Sequence, residues 1–66
     1  MTTIINSYGY AVNFAAAVEL MDDDIREAIN NETIIDDEQQ YFNEYCRRHA
    51  AEYGEPFALD IPSPQY

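Results

Sequence analysis

Asp37-Glu38-Gln39-Gln40-Tyr41-Phe42-Asn43-Glu44-Tyr45-Cys46-Arg47-Arg48-His49-Ala50-Ala51-Glu52-Tyr53-Gly54, with Pro56 just beyond it, reads as one long helix. Phe42, Tyr45, Cys46, His49, Ala50 and Tyr53 recur at spacings of three and four, the period that gathers side chains onto one helical face. Asp36 is placed to cap this helix, with Gln39 three residues on as the partner of a capping box. Asp37 and Glu38 suit a first turn, and Arg47 and Arg48 suit the C-terminal half, because the helix dipole favours anions at its start and cations at its end. Gly54 is the expected C′ residue in the left-handed region, and Pro56 prevents the helix from resuming. The apolar stripe needs cover, which the rest of a short chain must supply.

Working outward, Asn30-Asn31-Glu32-Thr33 reads as a connection, followed by Ile34 and Ile35. Before it, Asp22 caps a helix whose first turn holds Asp23 and Asp24; Ile25, Ala28 and Ile29 form its buried stripe, and Asp23 and Glu27 fall opposite. Asn13 caps a shorter segment in which Phe14, Ala17, Val18 and Met21 share one face. The two segments read as two helices or as one bent helix. Residues 2–6 are β-branched and strand-like, Ser7-Tyr8-Gly9-Tyr10 carries the glycine of a tight turn, and Tyr10-Ala11-Val12 returns as a second strand. Phe57-Ala58-Leu59 is a short strand or an apolar strap. Residues 61–66 contain Pro62 and Pro64 and read as a flexible tail. The expected fold is α+β: a short N-terminal β-hairpin, with Phe57–Leu59 as a candidate third strand, packed on two or three helices, all in one domain spanning residues 1–60.

The chain has 66 residues, and a domain of that size buries only roughly 60% of its unfolded surface. One cysteine, Cys46, excludes an internal disulfide, and no cysteine–histidine spacing suits zinc. Apolar residues make up 47% and aromatics 14%, which separates the chain from acidic disordered sequences. No apolar run approaches the ~20 residues of a membrane span. The N-terminus lacks the basic and apolar regions of a signal peptide. The expectation is a soluble cytoplasmic protein.

Chemistry at a catalytic site finds little support. His49 and Cys46 both fall on the apolar stripe and read as core residues. Carboxylate pairs for glycoside hydrolysis require a cleft that so short a chain has little volume to form. Asp22-Asp23-Asp24 suggests calcium, but an EF-hand loop needs glycine at position 6 and glutamate at position 12. Counted from Asp22 those positions hold Glu27 and Thr33; counted from Asp24 they hold Ile29 and Ile35. No catalytic residue, metal or cofactor is expected.

Charge is the informative quantity. Thirteen acids face three arginines and no lysine, a formal net charge of −10. Glu19, Asp22, Asp23, Asp24, Glu27, Glu32, Asp36, Asp37, Glu38 and Glu44 crowd into one part of the chain, interrupted only by Arg26. Helical neighbours three or four apart hold their Cβ atoms about 5–6 Å apart. That is comparable to the gap between phosphates along a nucleic-acid strand, and duplex DNA carries one charge per ~1.7 Å of axis. These ten residues are the candidate partner-binding surface, and the partner is a basic nucleic-acid-binding protein rather than nucleic acid or a membrane. An acidic run often only solubilises, but ordinary surfaces mix both signs, and this one lacks lysine. An acidic adaptor binding some other basic protein is the alternative. Tyr8, Tyr10 and Tyr41 are candidate aromatic anchors, whereas Tyr45 and Tyr53 are assigned to the core. The chain is expected to be a monomer or a weak homodimer.

Two stretches carry a resemblance. Asn13-Phe14-Ala15-Ala16-Ala17-Val18-Glu19-Leu20-Met21-Asp22-Asp23-Asp24-Ile25-Arg26-Glu27, and Tyr41-Phe42-Asn43-Glu44-Tyr45-Cys46-Arg47-Arg48-His49 followed by Tyr53-Gly54-Glu55-Pro56-Phe57, resemble short acidic proteins of phages and mobile elements. Among these are small anti-CRISPR proteins that inhibit type I-C systems. The resemblance covers most of residues 8–59. It implies a non-enzymatic inhibitor that acts in the bacterial host cytoplasm, binds a subunit of the CRISPR surveillance complex and blocks target DNA. It supplies no catalytic residue.

Overall fold

Alternation along Thr3-Ile4-Ile5 turns only Ile4 inward, and the opposing strand turns in Val12. In the computed structural model, which describes residues 3–62, these pair as an antiparallel hairpin, β1 (Thr3–Ile5) with β2 (Ala11–Asn13), in the register Thr3↔Asn13, Ile4↔Val12, Ile5↔Ala11. Gly9 closes the turn at φ 85°, a left-handed conformation that glycine adopts without Cβ strain. Asn6 organises the same turn: its Oδ1 accepts from the backbone N–H of Tyr8 (2.9 Å) and of Tyr10 (3.0 Å).

Three helices follow: α1 (Phe14–Leu20), α2 (Asp23–Glu32) and α3 (Glu38–Tyr53). Asn13 caps α1 by accepting from the Ala16 N–H at 3.1 Å. At Met21 the backbone turns extended (φ −73°, ψ 143°), so α1 and α2 are separate helices rather than one bent one. The junction is pinned from the core, where the Tyr45 hydroxyl accepts from the Asp22 N–H at 2.7 Å.

Helix α2 continues through Asn30, Asn31 and Glu32, where the sequence suggests a connection. Asparagine's modest helix propensity is overridden here by tertiary contacts. Ile29 is fully buried, and Glu32 forms an ion pair with Arg48 of α3. The cap of α3 also differs from expectation. Asp37, not Asp36, accepts from the Gln39 N–H at 3.0 Å. No capping box forms, because the Gln39 side chain is engaged elsewhere. Its Oε1 accepts from the Ile5 N–H and its Nε2 donates to the Ile5 carbonyl, both at 2.7 Å. One amide thus satisfies both backbone groups of a residue on β1. The C-terminal end is as expected: Gly54 adopts φ 73° and donates to the Ala50 carbonyl at 2.8 Å.

The core lies between the hairpin, the three helices and the segment after α3, and its largest fully buried side chains include Tyr45, Phe42, Ile4 and Ile29. Residues 57–59 are an apolar strap, not a third strand, so the described sheet has two strands. Phe57 sits edge-on to Tyr45 (4.8 Å) and Phe42 (6.2 Å), and Leu59 is buried beside them. The stripe on α3 is narrower than its spacing suggests. Phe42, Tyr45 and Cys46 are buried, His49 is half-buried, and Ala50 and Tyr53 face solvent.

Two buried polar residues close the fold. Asn6 Nδ2 donates to the carbonyls of Leu59 (3.1 Å) and Ile61 (3.0 Å). Asp60 accepts from the Ser7 N–H (2.6 Å) and the Ser7 hydroxyl (2.8 Å). This clasp ties the hairpin to the strap and holds the first residue of the expected tail. Thr2 and residues 63–66 lie outside the described residues.

Candidate acidic binding surface

Burial of Ile25 and Ile29 sets the rotation of α2. At 3.6 residues per turn, Asp23 and Glu27 then fall on the outer face, one turn apart and roughly 6 Å from each other. Both are exposed, as is Asp24 beside them. Two open clefts flank this face. One, of about 340 Å³, runs between α2 and α3 and is bordered by Asp22, Asp24, Glu52 and Tyr53 together with Arg47 and Arg48. The other, of about 240 Å³, joins Arg26 and Asn30 of α2 to Asp36 and Glu38 at the start of α3. Glu19 is exposed on α1.

The ten carboxylates of the candidate surface divide into two groups. Four already have partners. Arg48 reaches across to Glu32 with two bonds, at 2.9 and 3.1 Å, and donates from Nε to Glu44 at 2.6 Å. Arg47 also pairs with Glu44. Hydrogen bonds from these guanidinium groups hold both glutamates below their usual pKa and raise that of Arg48. Asp22 accepts from the Tyr53 hydroxyl and from the Asp24 N–H, which lowers its pKa; the same Tyr53 contact pushes the phenol up to about 12. Asp37 is occupied in capping α3. Among the described residues, no ion pair or hydrogen bond engages the side chains of Glu19, Asp23, Asp24, Glu27, Asp36 or Glu38. Arginine neutralises only Glu32 and Glu44 of the ten, which leaves Asp23, Asp24 and Glu27 of α2 exposed and without an ion pair.

The tyrosines also divide. Tyr8 and Tyr10 are exposed at the hairpin tip, 56% and 46%, and Tyr41 is half-buried. Tyr45 is in the core as expected. Tyr53 is not: it is 52% exposed, packed on the His49 ring and bonded to Asp22. Sequence reasoning missed the roles of Asn6 and Asp60, and gave Gln39 a capping role in place of its bonds to Ile5. A signal existed for Asn6, an asparagine between a β-branched run and a glycine turn; none existed for Asp60.

Cys46 and His49 do not form a catalytic pair. Burial, reinforced by Asp60, pushes the Cys46 thiol up to about 12, which suppresses the nucleophilic thiolate. His49 Nδ1 lies 3.0 Å from the Glu55 carbonyl oxygen, and its ring packs against Tyr45, Tyr53 and Phe57. Among the described residues, no group of three or more His, Cys, Asp or Glu side chains is placed to hold a metal ion, and no helix is long and apolar enough to cross a membrane.

No curated protein matches the chain. A family model described as anti-CRISPR protein AcrIC5 matches residues 5–57, which takes in the hairpin from Ile5 onward, all three helices and the buried Phe57. The chain therefore belongs to the AcrIC5 family of anti-CRISPR proteins.

Proposed function

We propose that this protein is an acidic DNA mimic that binds the basic DNA-binding surface of a type I CRISPR surveillance complex and blocks target DNA. It acts in the bacterial host cytoplasm, by occupancy and without catalysis. The observation that carries this reading is the partition of charge. Asp23, Asp24 and Glu27 are exposed and unpaired on the outer face of α2, while two of the three arginines are consumed by Glu32 and Glu44. A row of unneutralised carboxylates supplies lysines and arginines of a DNA channel with the counter-charge that phosphates supply, without any base being read. Tyr8 and Tyr10, both exposed, are available as anchors at one end of the molecule.

The test is competition on a purified type I-C surveillance complex. Increasing protein should displace labelled target duplex, with an apparent affinity that falls steeply as salt rises. A complex saturated with the protein that still holds its duplex normally contradicts the proposal.

A further inference from the structure

Every backbone N–H from Asn6 to Tyr10 is bonded within the fold. Asn6 donates to the Tyr10 carbonyl (2.9 Å) and Gly9 to the Asn6 carbonyl (3.0 Å). Ser7 donates to Asp60 (2.6 Å), and Tyr8 and Tyr10 donate to Asn6 Oδ1 (2.9 and 3.0 Å). The side chains of two buried residues, Asn6 and Asp60, thus accept three of the five bonds. The tyrosines carried by this fixed backbone are the opposite case. Both are exposed, and among the described residues neither has an aromatic contact or a side-chain hydrogen bond. Asp60 adds charge to the tip. Its carboxylate is 8% exposed and bonded to Ser7, and no cation pairs with it among the described residues. A buried carboxylate without a cation is costly, and its field is screened less than that of an exposed one.

We infer that the hairpin tip is a preformed seat for an arginine of the partner, whose guanidinium stacks on Tyr8 and Tyr10 and is drawn by Asp60. The faces of aromatic rings carry the negative side of their quadrupole and attract cations. The net charge of −10 opposes an anionic occupant. An apolar occupant gains nothing from Asp60. Arginine suits the tip better than lysine because its planar guanidinium stacks on a ring while its N–H groups stay free to donate. The chain's own arginines are placed elsewhere: Arg47 and Arg48 are bound to Glu44 and Glu32, and Arg26 lines the cleft beside α2. With the turn already fixed, binding orders little beyond two side chains, which lowers its cost. The inference rests on the reading that the tip anchors the protein to its target, and not on α2 standing in for DNA.

Two peptides of equal charge test it on the full chain, N-acetyl-Arg-Arg-Arg-amide and N-acetyl-Lys-Lys-Lys-amide, each titrated into the isotope-labelled protein to about 10 mM, the range of weak millimolar binding. The arginine peptide should shift the ring resonances of Tyr8 and Tyr10 in a saturable way and show nuclear Overhauser contacts to them, and the lysine peptide should do so several-fold more weakly. Absence of ring shifts with both peptides overturns the seat, and equal responses overturn the choice of arginine. On a type I-C surveillance complex, Tyr8→Leu/Tyr10→Leu should weaken binding at least about tenfold, and Tyr8→Phe/Tyr10→Phe, which keeps the ring faces, by less than about threefold. No loss with the leucine pair overturns the seat and leaves the acidic face standing; equal losses with both pairs assign the contact to the hydroxyls and overturn stacking. A complex that binds the protein through the tip yet keeps its duplex contradicts the DNA mimic and supports the seat.

Discussion

Replacing Asn6 by alanine tests how the two ends of the chain are held together. The Asn6 side chain makes four hydrogen bonds: it donates to the carbonyls of Leu59 and Ile61 across 53 and 55 residues, and accepts from the N–H groups of Tyr8 and Tyr10 within the turn. A net contribution of about 0.5–1.5 kcal/mol per bond puts the loss of four bonds at roughly 2–6 kcal/mol, with the upper part favoured because the buried Leu59 carbonyl is left unpaired. Total stability for a chain of this length is roughly 3–10 kcal/mol. The substitution thus removes a large share of it. At about 4–8 °C per kcal/mol for a small domain, Tm should fall by at least about 10 °C. Thermal melting by circular dichroism reads this directly. Ser7→Ala is the control: it loses only the hydroxyl bond to Asp60 and should cost about 1 kcal/mol. A Tm shift for Asn6→Ala as small as that of Ser7→Ala would refute the clasp as a main closure of the fold.

Gly54→Ala forces a side chain into φ 73° with open space around the new Cβ, so the cost is backbone strain alone, about 1–2 kcal/mol; calorimetry should show Tm lower by roughly 5–15 °C. The carboxyls of Asp22, Glu32 and Glu44 are held below their usual values. A folded-state pKa below the unfolded one adds stability above the unfolded pKa, and that stability is lost as pH falls through the folded value. Urea melts from about pH 5 to about pH 2 should therefore show a loss that the Glu32→Gln/Glu44→Gln variant shows less of. The Cys46 thiol, raised from 9.0 to about 12, carries about a thousandfold less thiolate at pH 8 than an unperturbed one; mass spectrometry should find it unlabelled by iodoacetamide in the native protein and labelled in urea.

Features governed by neighbouring residues were legible in the sequence. Asn13 and Asp22 as caps, Gly54 as the left-handed stop and the Ile4–Val12 hairpin all follow from local backbone preference and short-period patterning. Features that depend on distant partners were not. Helix α2 runs on through Asn30 and Asn31 because Ile29 and Glu32 meet α3. Gln39 abandons a capping box because Ile5, 34 residues away, offers both a donor and an acceptor. Asp60 is buried because Ser7 meets it across 53 residues. The candidate surface shows the same division. The crowding of acids between Glu19 and Glu44 is plain in the sequence, but their partition is not. Arg48 takes up Glu32 across 16 residues, and Tyr53 takes up Asp22 across 31. These contacts leave Asp23, Asp24 and Glu27 exposed without an ion pair, which is why the proposed mimicry is placed on them.

The most direct measurement compares two double charge reversals that change net charge by the same amount. Asp23→Lys/Glu27→Lys alters the unpaired outer face of α2; Glu52→Lys/Glu55→Lys alters exposed carboxylates at the end of α3 and just beyond it. Affinity for a type I-C surveillance complex should fall at least about tenfold more in the first than in the second, with the salt dependence weakened only in the first. Equal losses in both would mean that overall charge, rather than the face presented by α2, drives binding, and would contradict the account.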